Sequence, residues 1–213
     1  MIKTIKVISQ VIFFVIFIVL MFTGKAQLWM GLIFLSIVLA AFFGRFYCGW
    51  ICPINTVMRP FVWMSKKLGL QRKQTPEVLK SGKTRAVVLV LFLVGLGYTI
   101  YTITQGRKFP LPLIIIPLGI ITAFFINEKS WHRYLCPWGM LFSITAGFSK
   151  RGIKAENKCL SCSACERICP GDAIRVEKGA KASINPKYCL LCLNCTGACP
   201  VKVLNYTDTR NER

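Results

Sequence analysis

The chain has 213 residues, 54% of them hydrophobic, and a formal net charge of +20 from 28 Lys and Arg against 8 Asp and Glu. That length holds one medium domain or two small ones. A charge this high would suit nucleic acid, but the basic residues flank long apolar stretches. The distribution therefore argues against a nucleic-acid partner and implies a membrane.

In chain order, Lys3 and Lys6 precede the first of four stretches without a charged residue, at 7–24, 26–44, 86–106 and 109–127. They run for 18, 19, 21 and 19 residues, close to the ~20 that a helix needs to cross a bilayer core. Buried soluble helices rarely stay uncharged on every face for that length, so four transmembrane helices are expected. The first stretch resembles a signal sequence but has no small-residue cleavage site, and is expected to remain as a membrane helix. Pro117 is expected to kink the fourth helix, while Pro110 and Pro112 are tolerated at its start.

Arg45, Arg59, Lys66, Lys67, Arg72, Lys73, Lys80, Lys83 and Arg85 all fall in the long connection between the second and third stretches. The short connections carry only Lys25, and then Arg107 with Lys108. The positive-inside rule places both termini and the long connection in the cytoplasm of a multi-pass cell-membrane protein. Within that connection, Val57, Met58, Phe61, Val62, Trp63 and Met64 beside Lys66 and Lys67 read as a segment lying among lipid headgroups.

Each hairpin of apolar stretches ends in a related phrase. The first is Arg45-Phe46-Tyr47-Cys48-Gly49-Trp50-Ile51-Cys52-Pro53, and the second is Trp131-His132-Arg133-Tyr134-Leu135-Cys136-Pro137. Aligning the Cys-Pro pairs sets Cys48 against His132, which suggests an internal duplication. Residues four apart on a helical turn share a face, so Cys48 with Cys52, and His132 with Cys136, form two donor pairs. Together they are expected to hold a third iron–sulfur cluster, with imidazole in place of one thiolate; the alternative is that His132 is an interfacial polar residue beside Trp131 and Arg133 and the three cysteines are idle. A competing role for His132 is proton acceptor, with Glu128 one turn earlier; a solvated charge is the plainer role for Glu128.

The remaining eight cysteines form two runs, Cys159, Cys162, Cys165 and Cys169-Pro170, then Cys189, Cys192, Cys195 and Cys199-Pro200. This is the double run of bacterial ferredoxins, in which the fourth cysteine ligates the other run's cluster. Cys159, Cys162, Cys165 and Cys199 are then expected to hold one 4Fe–4S cluster, and Cys189, Cys192, Cys195 and Cys169 the other. Zinc gains nothing from a third nearby thiol or a trailing Cys-Pro, and disulfides are uncommon on the reducing side of the membrane.

The whole chain resembles the NapH/NosR-type family of membrane-bound polyferredoxins. The phrase from Gly44 to Pro53 is close to that family's first Cys-x3-Cys-Pro motif. Arg133-Tyr134-Leu135-Cys136-Pro137-Trp138-Gly139 is similar to its second, with His132 where the family has a cysteine. The resemblance implies an electron carrier between quinols or cytoplasmic donors and a partner oxidoreductase, or a factor in the maturation of such a partner.

The expected architecture is an α-helical membrane protein, with a four-helix domain at 1–149, an α+β double-cluster ferredoxin domain at 150–205 and a polar tail at 206–213. Short strands are expected at 173–176 and 183–184, with the chain loose from Asn205 onward. The expected function is a membrane-bound iron–sulfur relay, the electron-transfer subunit of an oxidoreductase complex. Its alternative is a membrane reductase acting in the assembly of another metalloenzyme. Expected cofactors are two 4Fe–4S clusters, a third iron–sulfur site and quinone. Expected partners are the membrane and a redox subunit or electron carrier.

Overall fold

The computed structural model describes residues 2–71, 74–105 and 111–208. Arg72, Lys73, Arg107, Lys108, Pro110 and the tail at 209–213 lie outside them, as do the side chains of Lys3 and Pro112. The described residues pack as two compact units, one of residues 1–56 with 141–213 and one of residues 57–140. This division differs from the expected boundary after residue 149, because the ferredoxin segment docks on the first two helices.

In the first unit, α1 (Ile2–Phe22) and α2 (Ala26–Phe43) form an antiparallel hairpin turned by Gly24 at φ +72°. The short α3 (Phe46–Trp50) follows, and α4 (Pro53–Lys67), which starts on a proline with no amide hydrogen to leave unsatisfied, carries the chain into the second unit. In the second unit come α5 (Glu77–Lys80), α6 (Gly82–Thr104), α7 (Leu111–Phe125) and α8 (Glu128–Ser130), then a π-helical turn over Trp131–Leu135. The next helix, α9 (Pro137–Ala146), leads back into the first unit.

Three helices are long and apolar enough to cross a membrane, at Thr4–Phe22, Ala26–Phe43 and Gly82–Thr102. Ile8, Val15, Leu35, Val38, Leu91 and Val94 stand exposed along them. Apolar surface of that extent fits lipid, not water, and the chain is a membrane protein. The fourth expected stretch gives the 15-residue α7, with Pro117 inside it. At 1.5 Å per residue it rises about 22 Å, less than the roughly 30 Å of a bilayer core.

After α9 the chain builds a small ferredoxin-like body. Strand β1 (Arg151–Ala155) leads to α10 (Ala164–Ile168), β2 (Ile174–Arg175), β3 (Ser183–Ile184), α11 (Asn194–Ala198) and β4 (Leu204–Asp208). Strand β1 pairs antiparallel with β4, Arg151 opposite Asp208 and Ala155 opposite Leu204; β2 pairs with β3, Ile174 opposite Ile184. The β2–β3 hairpin meets the expected strands but is shorter at 174–175. The expectation of loose chain from Asn205 is corrected: Asn205–Asp208 complete β4, and the Tyr206 hydroxyl donates to the Phe43 carbonyl at 3.0 Å. Ile153, Ala155, Ala173, Ile174, Ala182, Leu191 and Leu204 form the core, together with Cys165, Cys169 and Cys195.

The two halves of the membrane part repeat one another in backbone detail. The Cys52 amide donates to the Tyr47 carbonyl at 2.9 Å, and the Cys136 amide to the Trp131 carbonyl at 2.8 Å. Each cysteine thus closes a wide five-residue turn, and each cysteine carbonyl then accepts the first bond of the following helix, from Thr56 and from Met140. Met58, Val62 and Ser65 are buried on α4, as are Phe142, Ala146 and Ser149 at the equivalent positions of the second half. The Ser65 hydroxyl donates to the Phe124 carbonyl, and the Ser149 hydroxyl to that of Phe42 at 3.2 Å. Each unit therefore joins the hairpin of one half to the helix that follows the Cys-Pro of the other.

Candidate metal centres

The two ferredoxin cysteine runs fold into matching loops with unusual backbones. Ser161, Ser163, Leu191 and Leu193 sit at φ +49° to +57°, and Asp172 and Lys202, three residues after the last cysteine of each run, at +50° and +51°. Among the described residues these are all the non-glycine positions with positive φ. A left-handed L-residue costs about 1–2 kcal/mol, so each loop holds strain that a functional constraint has to justify. Alternating right- and left-handed residues turn successive amides to one side, making a concavity suited to an anionic group such as an iron–sulfur cluster.

Those concavities border two small cavities. One is lined by Cys159, Cys162, Cys165 and Cys199, with Leu160, Val176, Val201, Val203 and Leu204 among its walls. The other is lined by Cys189, Cys192, Cys195 and Cys169, with Ile153, Pro170, Ile174 and Leu193. Each cavity thus has three cysteines from one run and the fourth from the other. Gly171 is required in the wall of the second, since a Cβ there would lie 2.4 Å from the Tyr188 carbonyl oxygen.

The donor chemistry fits an iron–sulfur cluster. Burial pushes the Cys189 thiol far above its ordinary range, and repulsion from Cys192, Cys195 and Cys169 adds to it, against a hydrogen bond from the Leu191 amide. Burial likewise raises Cys195 to about 12, assisted by Cys192 and Cys169. Cys165 is raised in the same direction, again mainly by burial. Thiolates crowded into a dry space need positive charge among them, which bound iron supplies. Four cysteines line each cavity, the number of thiolates that a 4Fe–4S cluster takes.

The other expected donors are divided between the units. In the first, Cys48 is buried on α3 and Cys52 is partly exposed; the Arg45 guanidinium lies 3.8 Å from Cys48 Sγ and donates to the Lys187 carbonyl at 3.2 Å. In the second, His132 and Cys136 are buried, and Cys136 Sγ accepts from the Gly139 amide at 3.3 Å. Glu128 forms an ion pair with Lys66 at 2.9 Å.

Sequence reasoning missed the residues that hold the second ferredoxin loop against the first two helices. Trp50 Nε1 donates to the Leu191 carbonyl at 2.9 Å, and Lys6 Nζ donates to the Cys192 carbonyl and to Asn194 Oδ1, both at 2.9 Å. Lys6 had the signature of a topology-setting charge, and nothing in its neighbours marks it as buried.

The family described as a 4Fe-4S binding domain matches residues 26–71 and again 109–156, the two halves of the membrane part. The family described as a 4Fe-4S dicluster domain matches residues 158–203. "Uncharacterized protein MJ0749" of Methanocaldococcus jannaschii is 32% identical, covering 84% of this chain and 71% of its own. "Ferredoxin-type protein NapH" of Haemophilus influenzae is 26% identical over 76% of this chain and 62% of its own. "Methylamine utilization ferredoxin-type protein MauN" of Methylobacillus flagellatus is 28% identical over 63% and 53%. The chain thus spans between half and two thirds of those last two relatives. No solved structure matches it.

Proposed function

This chain belongs to the NapH-type family of ferredoxin-type membrane proteins, and we propose that it carries electrons between a quinol pool or a cytoplasmic donor and a partner oxidoreductase. The observation that carries this reading is the pair of four-cysteine cavities, each completed by a cysteine of the other run. Cys159, Cys162, Cys165 and Cys199 hold one 4Fe–4S cluster, and Cys189, Cys192, Cys195 and Cys169 the other. Such a cluster supplies reversible one-electron storage at a potential tuned by its protein surroundings. The exchanged fourth ligands tie the two loops into one rigid body, so neither site can drift from its neighbour.

Cys48, Cys52, Cys136 and His132 make a third iron–sulfur site on this reading. Its support is the repeated turn at Cys52 and Cys136 and the burial of both Cys48 and His132. The competing role for His132 is to take a proton released in quinol oxidation, in which case the three cysteines lack their fourth donor; Glu128 is engaged with Lys66. On this reading the chain crosses the membrane four times, the fourth crossing resting on the 19-residue charge-free stretch 109–127 and not on α7 alone, and both termini and the ferredoxin segment are cytoplasmic. The support for that side is the basic long connection.

The test is reduction of the full chain, loaded anaerobically and placed in lipid vesicles, by a short-chain quinol. Both ferredoxin signals should become reduced, and His132→Ala should slow this by about 10²-fold or more. Full loading, with reduction by dithionite but none by quinol, would exclude the quinol pool as donor.

A further inference from the structure

The two ferredoxin loops match in sequence spacing but not in surroundings. Leu160 in the first loop is 65% exposed, whereas Leu190 at the equivalent place in the second is 2% exposed. Cys162 is exposed, and its counterpart Cys192 is partly covered. The cover is the membrane hairpin of the same unit. Trp50 donates to the Leu191 carbonyl, Gly49 lies against the Leu190 carbonyl, and Lys6 bonds both Cys192 and Asn194.

That cover has an electrostatic consequence. Reducing a thiolate-bound cluster adds negative charge, and solvent exposure is one of the factors that set its potential. Packing Leu190 and Leu191 over the second loop removes water that would solvate the added charge. Lys6, 4% exposed, puts a fixed ammonium in place of that water, with its hydrogen bonds taken up by a carbonyl and an amide oxygen. A positive charge held in a medium of low effective dielectric acts strongly over short distances.

We propose that Lys6 is a positioning residue that raises the reduction potential of the site built on Cys189, Cys192, Cys195 and Cys169, and that this loop, not the Cys159 loop, is the electrical junction with the membrane part. The proposal rests on the reading of the two cavities as cluster sites. It divides the labour of two loops with the same ligand pattern: the covered one faces the membrane hairpin, and the open one, with Leu160 and Cys162 exposed, faces solution.

The experiment is a potentiometric titration of the full, anaerobically loaded chain in lipid, followed by electron paramagnetic resonance. Cys162→Ser and Cys192→Ser assign the signals to their loops. Lys6→Gln should shift the Cys189-loop signal downward by about tenfold in its reduction equilibrium, equivalent to about 59 mV for one electron, and leave the Cys159-loop signal in place. Lys6→Arg, which keeps the charge, should stay near the parent potential. The unmoved Cys159-loop signal also reports that the ferredoxin body is folded. Equal shifts of both signals, no shift of either, or the same shift in Lys6→Arg as in Lys6→Gln would overturn the proposal. Loss of the Cys189-loop site in Lys6→Gln with the other intact would reduce Lys6 to a structural pin and overturn it as well. Parent protein that takes up no iron and sulfide would instead sink the reading of the cavities, and this proposal with it.

Discussion

Gly49 packs its bare α-carbon against the backbone of Leu190 so closely that a Cβ there would lie 2.4 Å from the Leu190 carbonyl oxygen and 3.2 Å from the Cys192 Cα. Both neighbours are backbone, so neither can swing aside. Gly49→Ala should therefore weaken the docking of the ferredoxin segment by about 1–3 kcal/mol, the usual cost of overpacking. Limited proteolysis after Lys150 reads this as faster release of the segment. Gly31→Ala, whose Cβ meets nothing within 4 Å, is the control. Equal cleavage rates in the two variants would show that the contact carries no docking energy.

The crossed cavities make a sharp prediction for the fourth ligands. Cys199→Ala should damage the site of Cys159, Cys162 and Cys165, and Cys169→Ala that of Cys189, Cys192 and Cys195, because those are the sets that line each cavity. Magnetic resonance of the loaded variants separates the two. If Cys199→Ala removed the Cys189-loop signal and spared the other, each run would be serving itself.

The first three apolar spans and the cysteine spacing were legible because each depends on local pattern: length without charge in one case, fixed gaps in the other. Strand β4 was not legible. Within it Leu204 is buried and Asn205, Tyr206, Thr207 and Asp208 are exposed, so no alternation marks it, and its pairing with β1 is set by the fold. The left-handed backbones were hidden too, since Ser161, Ser163, Leu191 and Leu193 are not the glycines that such positions favour. The duplication was visible at the Cys-Pro pairs, but Ser65 and Ser149 extend it beyond them. A serine in a helix usually reads as neutral, and only the buried hydroxyl bonds to Phe124 and Phe42 reveal the repeat. Lys6 was misread for a related reason: a lysine before an apolar stretch looks the same whether it faces water or a ferredoxin loop.

For the third site, the loaded chain should hold more iron and sulfide than two cubanes require. Cys52→Ala or Cys136→Ala should remove the surplus and leave both ferredoxin signals intact. His132→Cys should keep it and lower its potential, since thiolate brings negative charge that neutral imidazole lacks. A surplus that survives Cys52→Ala and Cys136→Ala together would place the extra iron elsewhere.

The most direct measurement is iron and acid-labile sulfide per chain after anaerobic loading, taken with the spectra of the Cys162→Ser and Cys192→Ser variants. The account predicts at least two cubanes' worth of both elements in the parent chain, with each variant losing the signal of its own cavity. Iron without sulfide, or zinc held in its place, would contradict the reading of these eight cysteines as the ligands of an electron relay.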